Sequence, residues 1–218
     1  MAFASSSSSS TDVDALAPVV LTGPTVTLRP LVLDDAAALA AAAAESRAEF
    51  AFTRVPDGVD DARRYIEGAL AENRTRGRLA FATVWRGRLV GSTSYLNAER
   101  WRWPAGSPHA RTERPDVVEI GATWLAGSAQ RTRCNTEAKL LMLAHAFDAW
   151  QVHRVSLKTD ARNAKSRRAI ERLGARFEGI RRADMPGTDG SVRDSAYYSI
   201  VRAEWPDVRK RLDTALAG

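Results

Sequence analysis

The sequence has very few residues of the kinds that build disulfide frameworks or metal clusters. Cys134 is the only cysteine among 218 residues, which excludes an internal disulfide and favours a reducing, cytoplasmic location. The three histidines, His109, His145 and His153, do not have metal-ligand spacing, and no metal is expected. No apolar run approaches the roughly 20 residues that cross a bilayer, and no basic leader precedes an apolar core. Neither a membrane partner nor secretion is therefore expected.

Lysine is also scarce in this basic chain. Only four of the 32 basic residues are lysine, so 28 are arginine, and the net charge is +6. The arginines are spread along the chain, as a composition bias would spread them. A basic surface attracts polyanions, so charge alone leaves phosphate-bearing cofactors and nucleic acid equally open as partners.

The chain is predicted to hold one folded domain behind a polar tail. Residues 1 to about 20 open with the serine run 5–10 and are predicted to be disordered, because they cannot bury enough apolar surface. The rest, residues 21–218, shows neither an internal repeat nor a second domain boundary. Its length fits a single domain.

Apolar periodicity predicts seven strands and five helices. The strands are 26–31, 79–85, 89–96, 117–125, 154–159, 176–182 and 195–201, and the helices are 36–46, 59–76, 136–150, 164–173 and 204–216. The helix over 136–150 is predicted to face the core with Leu140, Leu141, Ala144 and Phe147. An early hairpin followed by β-α-β units predicts an α/β (α+β) fold. Its mixed sheet carries helices on both faces.

The segment 98–116 has no usable period, and it contains Trp101, Trp103 and three prolines. It is predicted to run over the surface, where long connections often carry function. With Phe52 and Tyr95, these tryptophans are candidates to line an acceptor site, although scattered aromatic residues more often serve packing.

The junction from the 117–125 strand to the following helix is the first candidate binding site. A polar loop leads into a helix that Asn135 or Thr136 would cap, so unpaired backbone N–H groups converge at a helix N-terminus. Such a junction suits a pyrophosphate, and Arg131 and Arg133 would add charge. The alternative is an ordinary turn with solvated arginines, which the turn alone favours.

Polar residues at a second helix start and within an apolar strand are two further candidate site features. Asn163 and Ser166 lie at the start of a helix that follows a strand, and simple helix capping explains Asn163 well. Glu119 lies in the apolar run VVEIGATWL, where a carboxylate costs free energy unless it is paired or faces a cleft. The alternative for Glu119 is outward alternation to solvent. Gly121 indicates a bulge or a close backbone approach.

The run VEIGATWL…QRTRCNTEAKLLML resembles the fourth strand and pyrophosphate-binding motif of the GNAT superfamily of N-acetyltransferases. Gln130 matches the first motif position, whereas Arg133 and Asn135 replace its two small residues. Asn135 tolerates left-handed backbone angles, and the Arg133 side chain would have to point away from the phosphates. The motif Asn163-x-x-Ser166 before Leu173-Gly174 and the start TLRPLVLDD resemble the RimJ/RimL-like branch.

This resemblance implies a GNAT fold, with a mostly antiparallel twisted sheet of six to seven strands and a central splayed pair, for residues 21–218. It implies acetyl-CoA as co-substrate, with the pantetheine arm paired to the splayed strand. Glu119 and Ser166 would be the catalytic base and the group near the sulfur, since Ile170 occupies the position of the family's tyrosine acid. The implied cofactor-binding residues are Thr123, Trp124, Leu125, Gln130, Arg131, Thr132, Arg133, Cys134, Asn135, Thr136, Asn163 and Ser166.

The implied reaction is direct acetyl transfer to a primary amine, of a protein N-terminus or of a small molecule. Glu119 would take the ammonium proton, a backbone N–H near Gly121–Thr123 would hold the oxyanion, and Ser166 would assist the departing thiolate. A ping-pong route through Cys134 is disfavoured by its place in the phosphate loop. By analogy with relatives, a homodimer is expected.

Other classes of function stay open on the sequence. A catalytically silent CoA-binding regulatory domain would share the fold and the cofactor. An arginine-rich nucleic-acid binder is ranked last, since helix-turn-helix, zinc and stacking motifs are missing.

Overall fold

A computed structural model describes residues 16–110 and 113–218, apart from the side chains of Arg74 and Arg76. The strands are β1 Leu21–Thr22, β2 Val26–Pro30, β3 Leu79–Trp85, β4 Arg88–Glu99, β5 Val117–Leu125, β6 Arg154–Asp160, β7 Arg176–Pro186 and β8 Val192–Val201. The helices are α1 Ala36–Ala44, α2 Gly58–Arg76, α3 Cys134–Ala144, α4 Ala164–Arg172 and α5 Trp205–Ala217.

The predicted order of elements is confirmed, with one strand more than expected. The eight strands form one sheet in the order β1-β2-β3-β4-β5-β6-β8-β7, and the additional strand is the two-residue β1. The first fifteen residues of the predicted tail lie outside the described residues. Leu16, inside that predicted tail, is buried against the core.

The sheet is antiparallel except between its two central strands. β5 and β6 run parallel and pair only from Val117–Arg154 to Glu119–Ser156. Beyond Glu119 the two strands separate, while β5 remains paired with β4 and β6 with β8. The predicted splayed pair therefore exists, and the separation leaves two strand edges that face each other across a gap.

Helices cover both faces of the sheet, as predicted. Consecutive residues of a strand point to opposite faces, and β4 shows which helices lie on each. Ser94 accepts a hydrogen bond from Arg78, two residues after α2, whereas the Tyr95 hydroxyl donates to the Met142 carbonyl of α3 (2.6 Å). The strand register places Tyr95 of β4 and Tyr198 of β8 on the same face of the sheet. Because Tyr198 contacts α4, both α3 and α4 cover that face.

The turn between β3 and β4 follows the predicted hairpin closely. Arg86 and Gly87 have φ of 51° and 81°, the two positive values that a tight two-residue hairpin turn requires. Gly91, further along β4, could not be another residue, because a Cβ there would lie 2.1 Å from the Trp124 carbonyl oxygen. This close approach holds β4 against the end of β5.

The described residues include no helix with the length and apolar character needed to cross a membrane.

Candidate functional site

The site lies where β5 separates from β6. From Ile120 onward, the β5 edge that faces β6 pairs with no strand in the part of the chain that the structure describes, and the same holds for β6 from Leu157. Backbone N–H and C=O groups need hydrogen-bond partners, so an extended ligand with its own amides can fill this gap like an added strand.

A β-bulge distorts β5 beside this gap. Ser94 pairs with Gly121 and Ser92 with Trp124, so Ala122 and Thr123 both lie opposite Thr93. Ala122 has φ of 47°, a left-handed value that turns its peptide out of the regular ladder. Of the two alternatives that Gly121 indicated, the bulge occurs, and the atoms close to Gly121 belong to side chains rather than to a neighbouring backbone. A Cβ on Gly121 would lie 2.8 Å from Leu96 Cδ1 and 3.1 Å from Glu119 Oε1.

A buried lysine holds the bulge from the α3 side. Lys139 is 4% exposed, and its ammonium donates to Thr93 Oγ1 (2.9 Å) and to Thr123 Oγ1 (2.6 Å). The two threonine oxygens are 2.8 Å apart. Burial lowers the pKa of Lys139 from 10.5 to about 7, which nearby Cys134 only partly offsets. Thr123 thus turns its side chain to α3, and only its backbone can face the gap.

The loop into α3 differs in detail from the prediction. The left-handed residue is Arg131, with φ of 59°, rather than Asn135, which lies inside the helix. α3 starts at Cys134, two residues before the predicted start, and its N-cap position is Arg133 rather than the expected Asn135 or Thr136. Thr132 Oγ1 accepts the Cys134 N–H just before the first turn. Asn135 and Thr136 therefore contribute backbone N–H groups of the first helical turn.

The arginines of this loop have different environments. The Arg133 guanidinium donates to the Leu216 carbonyl of α5 (2.9 Å), so its side chain is directed away from the loop, as the sequence required. The Arg131 side chain is exposed. Arg131 is therefore the loop arginine left to attract a phosphate.

Gln130 joins the loop to α4. Its Nε2 donates to the Leu125 carbonyl (2.8 Å), and its Oε1 accepts from Lys165 Nζ (2.6 Å). Lys165 also pairs with Glu49, in the connection between α1 and α2. Gln130 thus links the end of β5 to the start of α4 across the gap.

Cys134 is unsuited to act as a nucleophile. The side chain is fully buried, and burial raises the pKa of its thiol from 9.0 to about 12. Because the thiolate is the reactive species, this environment argues against an acetyl-cysteine intermediate.

The start of α4 faces the same gap from the β6 side. Asn163 Oδ1 accepts the Ser166 N–H (3.0 Å), so Asn163 caps the helix as its sequence position suggested. The Asn163 amide donor and the Ser166 hydroxyl lie at this helix start, directly after β6. Both predicted residues are therefore brought beside the gap.

Glu119 lies on the sheet face opposite α3. Its side chain is 9% exposed, its Oε2 accepts from Asn97 Nδ2 (2.9 Å), and Lys158 Nζ is 3.7 Å away. A paired carboxylate avoids most of the cost that its apolar strand would impose. Oε1 is directed along the strand toward Gly121 and the bulge.

The polar cluster around Glu119 continues across β6, β8 and β7. Lys158 Nζ is 4.0 Å from Asp184 Oδ2 and lies over the Tyr197 ring, 5.6 Å from its centroid. The Tyr197 hydroxyl bonds both Asp184 oxygens. Tyr197 also lines a shallow cavity of about 350 Å³ with Arg181 and Glu178. The next residue, Tyr198, packs in the core.

The residues predicted to line an acceptor site lie apart from one another. Phe52 packs under the Arg162 guanidinium, at the β6–α4 connection. Tyr95 is fully buried on the α3 side, so it is a core residue and has no access to the face that holds Glu119.

The two tryptophans lie before β5, where Asp116 organises them. Its carboxylate accepts from the Trp101 backbone N–H (2.8 Å) and from Trp103 Nε1 (3.1 Å). The Trp101 ring also stacks on the ring of His153, the residue before β6, with 5.5 Å between the ring centroids. This aromatic cluster is at the paired end of β5 and β6, away from the gap.

Sequence reasoning did not identify Asn97, Lys158 or Lys139. Asn97 and Lys158 reach Glu119 from neighbouring strands, and only the strand register brings them together. The sequence signal at Lys139 is its rarity, since it is one of just four lysines in the chain.

The profile of the acetyltransferase (GNAT) domain family matches residues 25–176 of this chain. A curated relative, "Putative ribosomal N-acetyltransferase YdaF" of Bacillus subtilis, is 33% identical over 88 residues. That alignment spans 40% of this chain and 47% of the relative, so the match covers about half the length of that protein.

Solved structures match over nearly the full chain. A "putative acetyltransferase" from T. thermophilus is 32% identical with a TM-score of 0.75, and covers 92% of this chain and 98% of its own. Mycobacterium smegmatis RimJ, in complex with CoA-disulfide, is 26% identical with a TM-score of 0.71, and covers 91% and 93%.

Proposed function

Since the chain belongs to the GNAT acetyltransferase family and is an N-acetyltransferase, we propose that it moves acetyl directly from acetyl-CoA to the N-terminal amine of a protein or peptide. The observation that carries this proposal is the gap between β5 and β6, with a bulge and a buried carboxylate beside it. The protein or peptide acceptor follows from the relative named as a ribosomal N-acetyltransferase.

The residues around the gap have the donor set that acetyl-CoA requires. The free edge of β5 offers backbone donors and acceptors to the pantetheine amides, in the manner of an added strand. The first N–H groups of α3, with Arg131 nearby, provide a cationic end for the pyrophosphate. The Asn163 amide would contact the pantetheine arm from the other side.

Acetyl-CoA supplies an activated acetyl group as a thioester, and the remaining tasks fall to the protein. An ammonium is not nucleophilic, so Glu119 accepts its proton, directly or through a water molecule. Backbone N–H groups at Gly121–Thr123 donate to the carbonyl oxygen as negative charge develops on it. The Ser166 hydroxyl donates a hydrogen bond to the departing sulfur.

The acidic groups of the polar cluster around Glu119 suit a cationic acceptor terminus. The carboxylates of Glu119 and Asp184 flank the Lys158 ammonium, and the Tyr197 ring makes a cation–π contact with it. The same groups can bind an acceptor ammonium as it approaches. The connection between α1 and α2, held to the β7–β8 turn by Thr188 and the Ala51 carbonyl, borders the sheet face that holds Glu119.

The test is an acceptor screen with N-terminal peptides, polyamines and aminoglycosides, read out as free CoA thiol. Peptides with free N-termini should turn over, whereas N-terminally blocked copies of the same peptides should not. Preferential turnover of polyamines or aminoglycosides would contradict the acceptor class. Acetylation of blocked peptides at internal lysines would contradict the N-terminal amine.

Glu119→Gln should lower kcat/KM for the best acceptor by about 10²–10⁴-fold, because the base is lost while its shape is kept. Ser166→Ala should lower kcat by about 10-fold, the value of one charge-assisted hydrogen bond. Glu67→Gln, which changes an exposed carboxylate of α2, is the matched control and should be unaffected. An unchanged pH–rate profile in Glu119→Gln would remove Glu119 from the base role.

A further inference from the structure

Lys139 is a buried cation that the acetyl-transfer mechanism above does not use. It is 4% exposed on α3, and among the described residues its two hydrogen-bond acceptors are neutral threonine hydroxyls. A buried charge without a carboxylate partner is costly, so a simple packing role would be filled better by Met or Leu. The position of those threonines indicates what the lysine does.

Both threonines belong to the β-bulge. Thr123 is the second of the two β5 residues that face a single residue of β4, and Thr93 is that residue. The left-handed Ala122 precedes Thr123, so the backbone here is held in a sparsely populated conformation. Such a conformation persists only where surrounding contacts determine it, and Lys139 bridges both sides of the bulge at 2.9 and 2.6 Å.

We propose that Lys139 is a positioning residue for acetyl transfer, which fixes the bulge so that the backbone N–H groups of Gly121–Thr123 meet the thioester carbonyl. This inference rests on the proposed function, since those N–H groups are the ones assigned to the oxyanion. The ammonium also lies behind the bulge, on the α3 side, where its positive charge favours negative charge on the other side of the strand.

Few other titratable groups act on Lys139. Among the residues that the structure describes, Cys134 on the same helix is the one whose charge affects it, and that thiol stays protonated at neutral pH. Thr93 and Thr123 face it from β4 and β5, and the Tyr95 phenol on β4 is committed to the Met142 carbonyl. Near neutral pH, burial leaves part of the Lys139 population charged, because its pKa falls to about 7.

The variant Lys139→Met keeps the length of the side chain and removes its donors and charge. Thr93 and Thr123 can still bond each other across 2.8 Å, so the variant leaves no buried hydroxyl without a partner. We expect kcat to fall about 10-fold, with KM for acetyl-CoA and for the acceptor within about twofold of wild type. Lys210→Met, on the exposed side of α5, is the matched control and should match wild type.

Amide hydrogen exchange supplies a readout that does not depend on turnover. Peptides that contain residues 121–124 should exchange faster in Lys139→Met than in wild type, because the bulge loses its clamp. Peptides from β7 and β8 should exchange alike in both proteins. Thr123→Val, which removes one acceptor of the clamp and keeps its shape, should change exchange and kcat in the same direction.

Unchanged kcat, or unchanged exchange over 121–124, would overturn the proposal. A fall in kcat with a proportional rise in KM for acetyl-CoA would also overturn it, since that result means a damaged cofactor site. Should the wild-type protein turn over no acceptor at all, the proposed function fails. The exchange comparison then decides separately whether Lys139 holds the bulge.

Discussion

Two side chains of α3 show how burial changes chemistry residue by residue. Cys134 and Lys139 are both buried, and in each case burial disfavours the charged form, which raises the pKa of the thiol and lowers that of the ammonium. The cysteine becomes inert and the lysine becomes sensitive to pH near neutrality. The pH dependence of stability therefore has opposite signs for the two residues, and each acts in a different pH range.

The pKa of Lys139 predicts a specific pH dependence of stability. The folded protein releases this proton near pH 7, whereas the unfolded chain keeps it to about 10.5, so the unfolded state binds more protons between these values. Stability contributed by this site therefore rises with pH above 7, by about 2 kcal/mol up to pH 9. Above pH 9, the raised pKa of Cys134 acts in the opposite direction and reduces stability.

Urea unfolding of wild type and Lys139→Met at pH 6, 7, 8 and 9 measures this effect. The difference between the two free energies of unfolding should favour the variant most at pH 6 and shrink as pH rises. A difference that stays constant with pH would show that Lys139 does not titrate in this range.

At this scale, the sequence identified some site residues and not others for physical reasons. Glu119 stood out because a carboxylate interrupted an apolar strand. Lys139 did not, because a lysine on an amphipathic helix is ordinarily assigned to the solvent side. Asn97 and Lys158 could not be found, since strand register is a long-range property that no local pattern records.

Among the secondary-structure elements, α4 presents a residue with two candidate roles. Asn163 Oδ1 caps the helix, and its amide nitrogen is available for the pantetheine arm. Asn163→Ala should cost about 1 kcal/mol of stability through loss of the cap. Asn163→Asp keeps an acceptor at a helix N-terminus, where negative charge is favourable, and should retain that stability.

Calorimetric titration with CoA separates the two roles. If the amide binds the pantetheine arm, Asn163→Asp should weaken CoA binding by about 5- to 10-fold despite its retained stability. Wild-type affinity in Asn163→Asp would mean that Asn163 serves only as a cap.

The elements themselves were largely predictable because their apolar periods are strong. β3 and β5 have the predicted bounds, and the Arg86-Gly87 turn has the backbone that its residues imply. The short β1 was missed because two residues carry no period. Of the four residues predicted to face inward over 136–150, Phe147 is buried, whereas Leu140, Leu141 and Ala144 are only partly buried; Ala138, Lys139 and Met142 are buried instead.

At the scale of the whole molecule, the net charge of +6 attracts polyanions of several kinds. The fold, rather than the charge, determines which of them binds specifically. Non-specific attraction falls with salt, whereas a gap between two strands and a helix start recognises one extended ligand. CoA should therefore stabilise the protein at physiological salt, where inorganic triphosphate of similar charge should not.

The expected size of that stabilisation follows from binding linkage. Free CoA at about 100 times its Kd adds about 2.7 kcal/mol, which for a chain of this length raises Tm by about 5–10 °C. Thermal unfolding with CoA, with triphosphate and with duplex DNA measures it. A CoA shift together with release of CoA thiol from acetyl-CoA on adding peptides supports the enzyme, whereas a CoA shift without turnover of acetyl-CoA means a regulatory domain. Stabilisation by triphosphate or DNA alone would mean that the charge, rather than the gap between β5 and β6, selects the ligand.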